Sequence, residues 1–317
     1  MKISLVIPVY NEVESVPHLH RAIREALGER DHEVIYVDDG STDGSVEALE
    51  RLVKEDASAT RLVVLRRNFG QTAALAAGID HSSGEVIVML DADLQNDPAD
   101  IPALLQKIDE GFDVASGWRV DRQDAAVTRR IPSRVANWLI SRITGVHLHD
   151  YGCTLKAYRR EVLEGFHLYG EMHRFIPAYA GGVGARIVEV PVRHHARRFG
   201  RAKYGLERTL KVVLDLFTVK FLTSYAAKPI YIFGGTGLAM IGASLVALVV
   251  LIARRLMYDE HMIRSPVLLL SVMLFILGTE AILMGLLAEL TVRTYHESQA
   301  KPTYSVRRVV NSPHETE

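Results

Sequence analysis

Two apolar runs in the last third of the chain constrain its architecture most. Residues 230–253 and 266–292 are almost wholly apolar, and helices of that length, rising ~1.5 Å per residue, cross a hydrocarbon layer of ~30 Å. We therefore predict two transmembrane helices joined by residues 254–265. The alternative is a buried helical hairpin in a soluble domain, which the scarcity of charged residues disfavours.

Charged residues around these runs predict their orientation. Lys and Arg are denser outside the pair than in the joining loop, so the positive-inside bias puts both termini in the cytoplasm of an inner-membrane protein; the flanking cations are Lys211, Lys220, Lys228, Arg293, Lys301, Arg307 and Arg308.

Glu280 interrupts the second run. Since an ionisable group is costly at that depth, we expect it to face another helix, another subunit or a polar lipid group, which favours a homo-oligomer.

The segment before the first run is amphipathic. Across residues 205–229, apolar side chains alternate at helical spacing with Arg and Lys, a pattern typical of helices that lie in the headgroup plane of a membrane. An ordinary domain helix with a solvated face remains the alternative.

The N-terminal part has the pattern of an α/β domain. Apolar, β-rich runs alternate with helical patterns, which predicts a mainly parallel sheet with crossover helices; the strands are expected at residues 3–9, 33–37, 61–65, 85–90, 113–116 and 183–192. Continuous apolar runs such as residues 86–90 are typical of strands covered on both faces.

Composition excludes several classes of protein. The net charge of −1 argues against a nucleic-acid or general polyanion binder, and the single cysteine, Cys153, excludes an internal disulfide and a zinc site built on cysteines. No Gly-x-Gly-x-x-Gly follows the first strand and no Walker lysine motif is present, which disfavours a dinucleotide oxidoreductase or a P-loop NTPase.

Three polar clusters follow predicted strands: Pro-Val-Tyr-Asn-Glu at residues 8–12, Asp-Asp-Gly-Ser-Thr-Asp at residues 38–43 and Asp-Ala-Asp-Leu-Gln at residues 91–95. Because the carboxyl ends of parallel strands line the ligand crevice, these clusters should converge on one site. In extended backbone Asp91, Asp93 and Gln95 would project to one side, and such hard oxygen ligands suit Mg²⁺ or Mn²⁺ shared with a diphosphate.

The second cluster has two compatible interpretations. Asp, Gly and Ser favour a tight turn with an N-cap for the next helix. Two adjacent acids are unnecessary for a cap alone, so we favour binding of the nucleoside by at least one of them.

These clusters, together with Asn-Phe-Gly-Gln at residues 68–71, resemble the family 2 glycosyltransferases, which have the GT-A fold. Residues 150–160, residues 197–204 and the paired apolar runs look more narrowly like polyisoprenyl-phosphate glycosyltransferases. The resemblance implies a GT-A catalytic domain over residues 1–204, membrane-interface helices over 205–229, transmembrane helices over 230–292 and a cytoplasmic tail over 293–317.

The resemblance also implies roles for particular residues. The nucleoside of a UDP- or GDP-linked sugar would be held by Pro8, Tyr10, Glu12 and Asp39. The metal and the donor diphosphate would be held by Asp91, Asp93 and Gln95, with Asp150 contacting the sugar or aiding the reaction. Phosphates of the acceptor or donor would be gripped by Arg119, Arg129, Ser133, Arg197 and Lys203. Where the family commonly has Ser, this chain has Ala202, so a hydroxyl contact there is absent.

The implied reaction is a single displacement with inversion, in which one sugar passes to a polyisoprenyl phosphate, most simply undecaprenyl phosphate. That acceptor is already anionic, so positioning and charge stabilisation replace most of the need for a general base. A processive polysaccharide synthase is disfavoured by the two apolar runs and by the lack of a Gln-x-x-Arg-Trp motif. A catalytically silent membrane scaffold that binds nucleotides is disfavoured by the intact acidic cluster.

Overall fold

The computed structural model describes residues 1–120, 140–142, 144–164, 168, 172–196, 230–258, 265–298 and 304–311. The chain divides into two compact units. One comprises Met1–Val219 together with Pro302–Glu317, and the other comprises Lys220–Lys301.

The first unit is built on an eight-stranded sheet with the order β7-β5-β6-β4-β1-β2-β3-β8. Its strands are β1 (Ile3–Val9), β2 (His32–Asp38), β3 (Thr60–Leu65), β4 (Val86–Met89), β5 (Val114–Arg119), β6 (Lys156–Arg159), β7 (Ile187–Val192) and β8 (Val306–Val310). Strands β6 and β8 pair antiparallel with their neighbours, and the others run in one direction. The predicted mainly parallel α/β sheet is confirmed.

Helices follow the strands as crossovers. In the described part of this unit they are α1 (Ser15–Leu27), α2 (Ser45–Glu55), α3 (Gln71–Asp80), α4 (Ile101–Asp109), α5 (Arg160–Leu163) and α6 (Ile176–Gly182), with 3₁₀ turns at Pro98–Asp100 and Met172–Arg174.

The helices form because their apolar residues recur at helical spacing and are buried against the sheet. Leu19, Ile23 and Leu27 of α1 are at most 3% exposed. Helix α3 instead carries small residues and packs close to the sheet, since a Cβ at Gly78 would lie 2.2 Å from Cγ1 of Val6. Small side chains thus bring the first residue of α3 near the strand ends.

Most predicted strands are present, and two strands were missed. Strand β1 has the predicted bounds, whereas the strand predicted at residues 183–192 begins at Ile187, after a turn at Gly184 with a positive φ of 89°. The short strand Lys156–Arg159 and the late strand Val306–Val310 were not predicted, because each carries cations that mask a strand pattern.

Most described residues of the predicted tail over residues 293–317 belong to a helix and a strand. The second apolar helix continues to Ser298, and Val306–Val310 then pair antiparallel with β3. Residues 306–310 therefore add a strand to the sheet of the first unit.

The second unit contains α7 (Ile230–Tyr258) and α8 (Pro266–Ser298). Both hold an apolar stretch long enough to span a membrane, Phe233–Met257 and Pro266–Ala288. The helices cross where Gly237 and Gly278 meet, because a Cβ on either would lie within 2.7 Å of the other's carbonyl oxygen. Most of the remaining large apolar side chains point outward, as expected of helices in lipid.

Candidate active site

The three polar clusters lie at the same end of the sheet, where the parallel strands β4, β1 and β2 have their carboxyl ends. Strands β4, β1 and β2 are neighbours and parallel, so the residues that follow them emerge side by side. The predicted convergence of these clusters is confirmed by the strand order.

Hydrogen bonds join the loops after β1 and β2. Ser41 Oγ lies 2.9 Å from the Asn11 N–H, and the Thr42 N–H donates to Asn11 Oδ1 at 2.8 Å. Asn11 has a φ of 53°, a left-handed conformation that Asn tolerates better than most residues. The two loops are therefore joined to each other at the carboxyl ends of β1 and β2.

Among the residues expected to hold the nucleoside, Tyr10 is the most accessible, at 36% exposed. Pro8 lies within β1 opposite Val37. Glu12 is buried at the start of α1, where its carboxylate accepts a hydrogen bond of 3.0 Å from Ser15 Oγ. Pro8, Tyr10 and Glu12 thus lie at the end of one strand, and their contacts with a nucleoside stay predictions.

Asp38 forms the turn that its sequence suggested. Its Oδ2 accepts the backbone N–H groups of Gly40 and Ser41, both at 3.1 Å. Burial raises the pKa of this carboxyl. The first acid of the pair therefore shapes the loop after β2.

Asp39 holds the loop between β3 and α3. Its two carboxylate oxygens accept the N–H groups of Phe69 and Gly70, at 2.7 and 2.9 Å. Gly40 makes this approach possible, because a Cβ there would lie 2.6 Å from the backbone of Arg67. Burial raises the pKa of Asp39 in spite of its two backbone hydrogen bonds. The nucleoside contact expected of Asp39 stays a prediction. In the structure its carboxylate holds the loop between β3 and α3.

The backbone of residues 91–95 turns instead of staying extended. Leu94 has a φ of 59°, and the Gln95 N–H donates to Asp93 Oδ1 at 3.1 Å. The Gln95 carbonyl accepts the His195 N–H at 2.8 Å. The extended geometry that would align three oxygen ligands is therefore wrong, and side-chain alternation does not place Gln95 beside Asp91.

Asp91 lies in a crowded acidic environment. Its Oδ1 accepts a hydrogen bond of 2.6 Å from Gln71 Nε2 at the start of α3. Burial, followed by the negative charge of Asp93, raises the pKa of Asp91 to about 6. A hydrogen bond from Thr154 and the charge of Arg174 act in the opposite direction.

This pair of carboxylates fits a divalent cation. The negative charge of Asp93 disfavours ionisation of Asp91, and a cation bound by both carboxylates would offset that repulsion. Among the described residues there is no cluster of three or more His, Cys, Asp or Glu with metal-site geometry. A bound ion would therefore depend on Asp91 and Asp93 together with substrate oxygens and water, which is how Mg²⁺ is often held.

Asp150 and Arg119, predicted for different roles, form an ion pair. Arg119 Nε donates to Asp150 Oδ2 at 2.7 Å, and Nη2 donates to Oδ1 at 3.0 Å. Asp150 is 2% exposed and also accepts the Gly152 N–H at 3.1 Å. A bidentate pair of this kind fixes the orientation of both groups.

Glu189 of β7 holds the same segment from the other side. Its carboxylate accepts the backbone N–H groups of His149 and Asp150 at 2.8 and 3.2 Å, and it contacts His149 Nδ1 at 2.7 Å. The His149 ring stacks on Trp118, with ring centroids 4.4 Å apart. Asp150 is thus clamped between β5 and β7.

A buried cation lies beneath this segment. The Lys156 ammonium donates to the backbone carbonyls of Tyr151 and Cys153, and burial lowers its pKa. It lines a cavity that also includes Asp91 and Arg174. Lys156 therefore fixes the backbone that follows Asp150.

Several predicted residues lie outside the described residues. They are Arg129, Ser133, Arg197 and Lys203, together with the predicted amphipathic segment over residues 205–229. Their roles stay predictions.

The structure brings further residues to the site that received no predicted role. Gln71 belongs to the Asn-Phe-Gly-Gln motif at residues 68–71 and is the first residue of α3, so the motif was a signal that could have identified it. Thr154 and Lys156 follow Asp150 closely in the chain. Arg174 lies in a 3₁₀ turn distant in sequence, and no local pattern connects it to Asp91.

The geometry and the sequence agree on a class of protein. Residues 4–166 match the model of glycosyl transferase family 2, and the chain belongs to that family.

Curated relatives extend the match over almost the whole chain. The dodecaprenyl-phosphate galacturonate synthase of Rhizobium johnstonii is 43% identical over 314 residues, covering 98% of this chain and 93% of the relative. The undecaprenyl-phosphate 4-deoxy-4-formamido-L-arabinose transferase of Klebsiella pneumoniae strain 342 is 40% identical over 316 residues, covering 98% and 94%. The predicted resemblance to polyisoprenyl-phosphate glycosyltransferases is confirmed.

Solved structures confirm the GT-A-like fold. Glucosyl-3-phosphoglycerate synthase from Mycobacterium tuberculosis, crystallised with Mn²⁺, UDP and glucosyl-3-phosphoglycerate, matches with a TM-score of 0.54 and 20% identity over 70% of this chain and 79% of that one. The same enzyme with Mg²⁺ and UDP gives a TM-score of 0.51 and 19% identity, covering 68% and 78%. At about 20% sequence identity, this similarity is evidence for a shared fold alone.

Proposed function

We propose that the chain transfers one sugar from a nucleoside diphosphate sugar to a polyisoprenyl phosphate, with inversion at the anomeric carbon. The observation that carries the proposal is the convergence of Asp39, Asp91 and Asp93 on one sheet edge in a family 2 glycosyltransferase. The two relatives described above are named for a polyprenyl phosphate, which supports undecaprenyl phosphate or a similar lipid as acceptor.

In this reaction the lipid phosphate oxygen attacks the anomeric carbon, and the nucleoside diphosphate leaves from the opposite face. The acceptor is anionic before it binds, so the protein has to position it and stabilise charge more than remove a proton. Asp150, held by Arg119 and Glu189, is suited to contact the sugar because its orientation is fixed before substrate arrives.

Asp91 and Asp93 would hold a Mg²⁺ or Mn²⁺ ion. When bound, such an ion neutralises charge that develops on the departing diphosphate. Gln71 orients Asp91 through a hydrogen bond of 2.6 Å, and the Gln95 N–H orients Asp93. Both carboxylates are therefore presented by neighbouring residues of this chain before any ligand arrives.

The two apolar helices support a location in the cytoplasmic membrane. We place the catalytic unit on the cytoplasmic side, because Lys and Arg are enriched in the segments that flank the helix pair. A lipid phosphate at that membrane surface would meet nucleotide sugars from the cytoplasm.

A homo-oligomer formed through the helices remains part of the proposal. Glu280 is exposed on α8 in the single chain, and a second copy of the chain would shield its carboxyl group from acyl chains.

The experiment is a transfer assay with purified full-length protein, undecaprenyl phosphate, Mg²⁺ or Mn²⁺, and a panel of UDP- and GDP-linked sugars. We expect one donor to yield a lipid that carries a single sugar. Polymeric product would favour a processive synthase, and nucleotide binding without product from any donor, in folded protein, would favour a silent scaffold.

Asp93→Asn provides the matched test of the acidic pair. Loss of the charge should reduce the transfer rate by roughly 100-fold or more, because the ion that would neutralise the developing negative charge loses one of its ligands. Asp109→Asn, on the exposed part of α4, is the control and should leave the rate unchanged. Near-normal, metal-dependent transfer by Asp93→Asn would contradict the assignment.

A further inference from the structure

The chain returns to the catalytic sheet after its second apolar helix. Residues 306–310 pair antiparallel with β3, with Val309 opposite Val63 and Val310 opposite Leu62. In the described part of the sheet, β3 would be the outermost strand without them. An unpaired edge of this kind exposes backbone groups and is prone to wrong pairing.

The C-terminal end of the returning segment, residues 304–311, is fixed by side chains. Asn311 Nδ2 donates to the Thr60 carbonyl at 2.7 Å, and Arg61 Nε donates to the Asn311 carbonyl at 3.3 Å. Arg308 forms an ion pair with Glu50 of α2. The strand is therefore anchored to the start of β3 and to a neighbouring helix.

The opposite end of the segment contacts the elements that lead to the active site. The Arg66 N–H, directly after β3, donates to the Ser305 carbonyl at 3.0 Å. Tyr304 Oη donates to Asp80 Oδ2 at 2.7 Å, which ties the segment to the last residue of α3. Tyr304, Val306 and Val309 also pack on an apolar cluster between the sheet and α3, and Phe69 packs on the same cluster.

The loop from β3 to α3 is consequently held at both ends. At its start, the returning segment binds Arg66. At its end, Asp39 binds the N–H groups of Phe69 and Gly70, and the next residue, Gln71, donates to Asp91. A displacement of this loop or of α3 would therefore move two carboxylates of the candidate site.

We propose that the C-terminal segment, residues 304–311, positions the active site by holding the β3–α3 loop and α3, with Tyr304 as its main positioning residue. The inference rests on the proposed function for its effect on transfer, but not for its effect on the loop. It follows that the site is complete only after both apolar helices have been made and the chain has returned to the sheet. A catalytic unit released without its tail would then be impaired.

The first test changes one hydrogen bond in the full-length protein. Tyr304→Phe keeps the ring in the apolar cluster and removes the bond to Asp80, so we expect a several-fold higher KM for the donor with an unchanged melting temperature. Amide hydrogen exchange over residues 66–71 should become faster. Arg307→Ala, exposed on the same strand, is the matched control and should change neither quantity.

The second test removes the segment after folding. A protease site is inserted between Ser298 and Tyr304 of the full-length protein, and Val309→Asp is added so that the cut strand leaves the sheet. Release of the segment, confirmed by mass spectrometry, should accelerate exchange over residues 66–71 and reduce transfer by roughly ten- to hundredfold. A synthetic peptide of residues 302–317 with the native Val309 should restore both.

The two readouts separate this proposal from the proposed function. Hydrogen exchange requires no substrate, so it reports on the loop even if no sugar is transferred by the intact protein. Unchanged exchange over residues 66–71 after release of the segment would overturn the inference, whatever the transfer assay shows. Faster exchange with full transfer activity would overturn its catalytic part.

Discussion

At the scale of single residues, the fixed orientation of Asp150 is the clearest sign of preorganisation. Arg119 binds both of its oxygens, and Glu189 binds the backbone before it. These contacts use charge-assisted hydrogen bonds, each worth about 1.5–3 kcal/mol. The conformational entropy of the Asp150 side chain is therefore lost during folding and not during substrate binding.

Glu189→Gln tests this positioning. The substitution removes the negative charge that strengthens the hydrogen bonds from the backbone N–H groups of His149 and Asp150, so the segment around Asp150 should loosen. We expect kcat to fall roughly tenfold or more with little change in melting temperature, measured by steady-state kinetics. Glu25→Gln on the exposed part of α1 serves as control, and a normal kcat for Glu189→Gln would refute the positioning role.

Glu33 offers a prediction that depends on pH. Burial would raise its pKa, but hydrogen bonds from Ser4 and Ser83 and the charge of Arg61 outweigh burial and hold the pKa below its usual value. Because the folded state has the lower pKa, this residue stabilises the fold above the unfolded pKa of about 4.3, and the contribution disappears as the pH falls through the folded pKa.

Glu33→Gln should therefore lower the free energy of unfolding by about 1–3 kcal/mol at pH 7. The difference from the unmodified protein should shrink below about pH 4. Melting temperatures of both proteins between pH 7 and pH 3 provide the measurement. A difference that stays constant over this range would show that the charge of Glu33 is not responsible.

The sequence predicted which acids share an edge, but not what they touch. Asp91 and Asp39 lie at the same end of the sheet because they follow β4 and β2, the two parallel strands on either side of β1, which is a rule of topology. The bonds from Asp39 to Phe69 and from Asp150 to Arg119 join residues 30 and 31 positions apart. Such pairs depend on the three-dimensional placement of loops, for which a single sequence has no periodic signal.

At the scale of elements, the two missed strands have a common cause. The β6 residue Lys156 is buried with its ammonium on backbone carbonyls, and β8 contains Arg307 beside Arg308. Cations in a short run hide the apolar pattern that identifies a strand. The long apolar helices were predicted well because their pattern extends over more than six turns.

The crossing of α7 and α8 gives a prediction at this scale. Gly237→Ile places a side chain against the Gly278 backbone, where even a Cβ would lie 2.5 Å from the carbonyl oxygen. We expect the helices to separate and the melting temperature in detergent to fall. Gly242→Ile is the matched control, since a Cβ there meets nothing within 4 Å. Equal effects of the two substitutions would contradict the close crossing.

At the scale of the whole molecule, the sheet constrains the topology of the membrane part. Strands β1 to β7 precede the two apolar helices and β8 follows them, yet β8 pairs with β3. A chain that crosses a membrane between β7 and β8 must therefore cross it an even number of times. Two membrane-spanning helices meet this condition, and they put both flanks of the helix pair on the same side of a membrane.

Cysteine labelling in intact cells tests this arrangement. The one native cysteine, Cys153, is buried, so single cysteines introduced elsewhere report their own exposure. A membrane-impermeant maleimide added outside should label His261→Cys, whose position in the sequence lies between the two helices, and should label Glu29→Cys and Arg307→Cys only after lysis. Labelling of Arg307→Cys but not Glu29→Cys in intact cells would contradict the shared sheet.

The measurement that tests the central claim most directly is the stoichiometry of both products. Purified protein is incubated with undecaprenyl phosphate, divalent metal and the active nucleotide sugar, and the lipid and the nucleotide are quantified by mass spectrometry. The proposed displacement predicts one nucleoside diphosphate for each lipid that carries a single sugar on its one phosphate. Release of nucleoside monophosphate with a lipid diphosphate sugar, or nucleoside diphosphate without any glycosylated lipid, would contradict it.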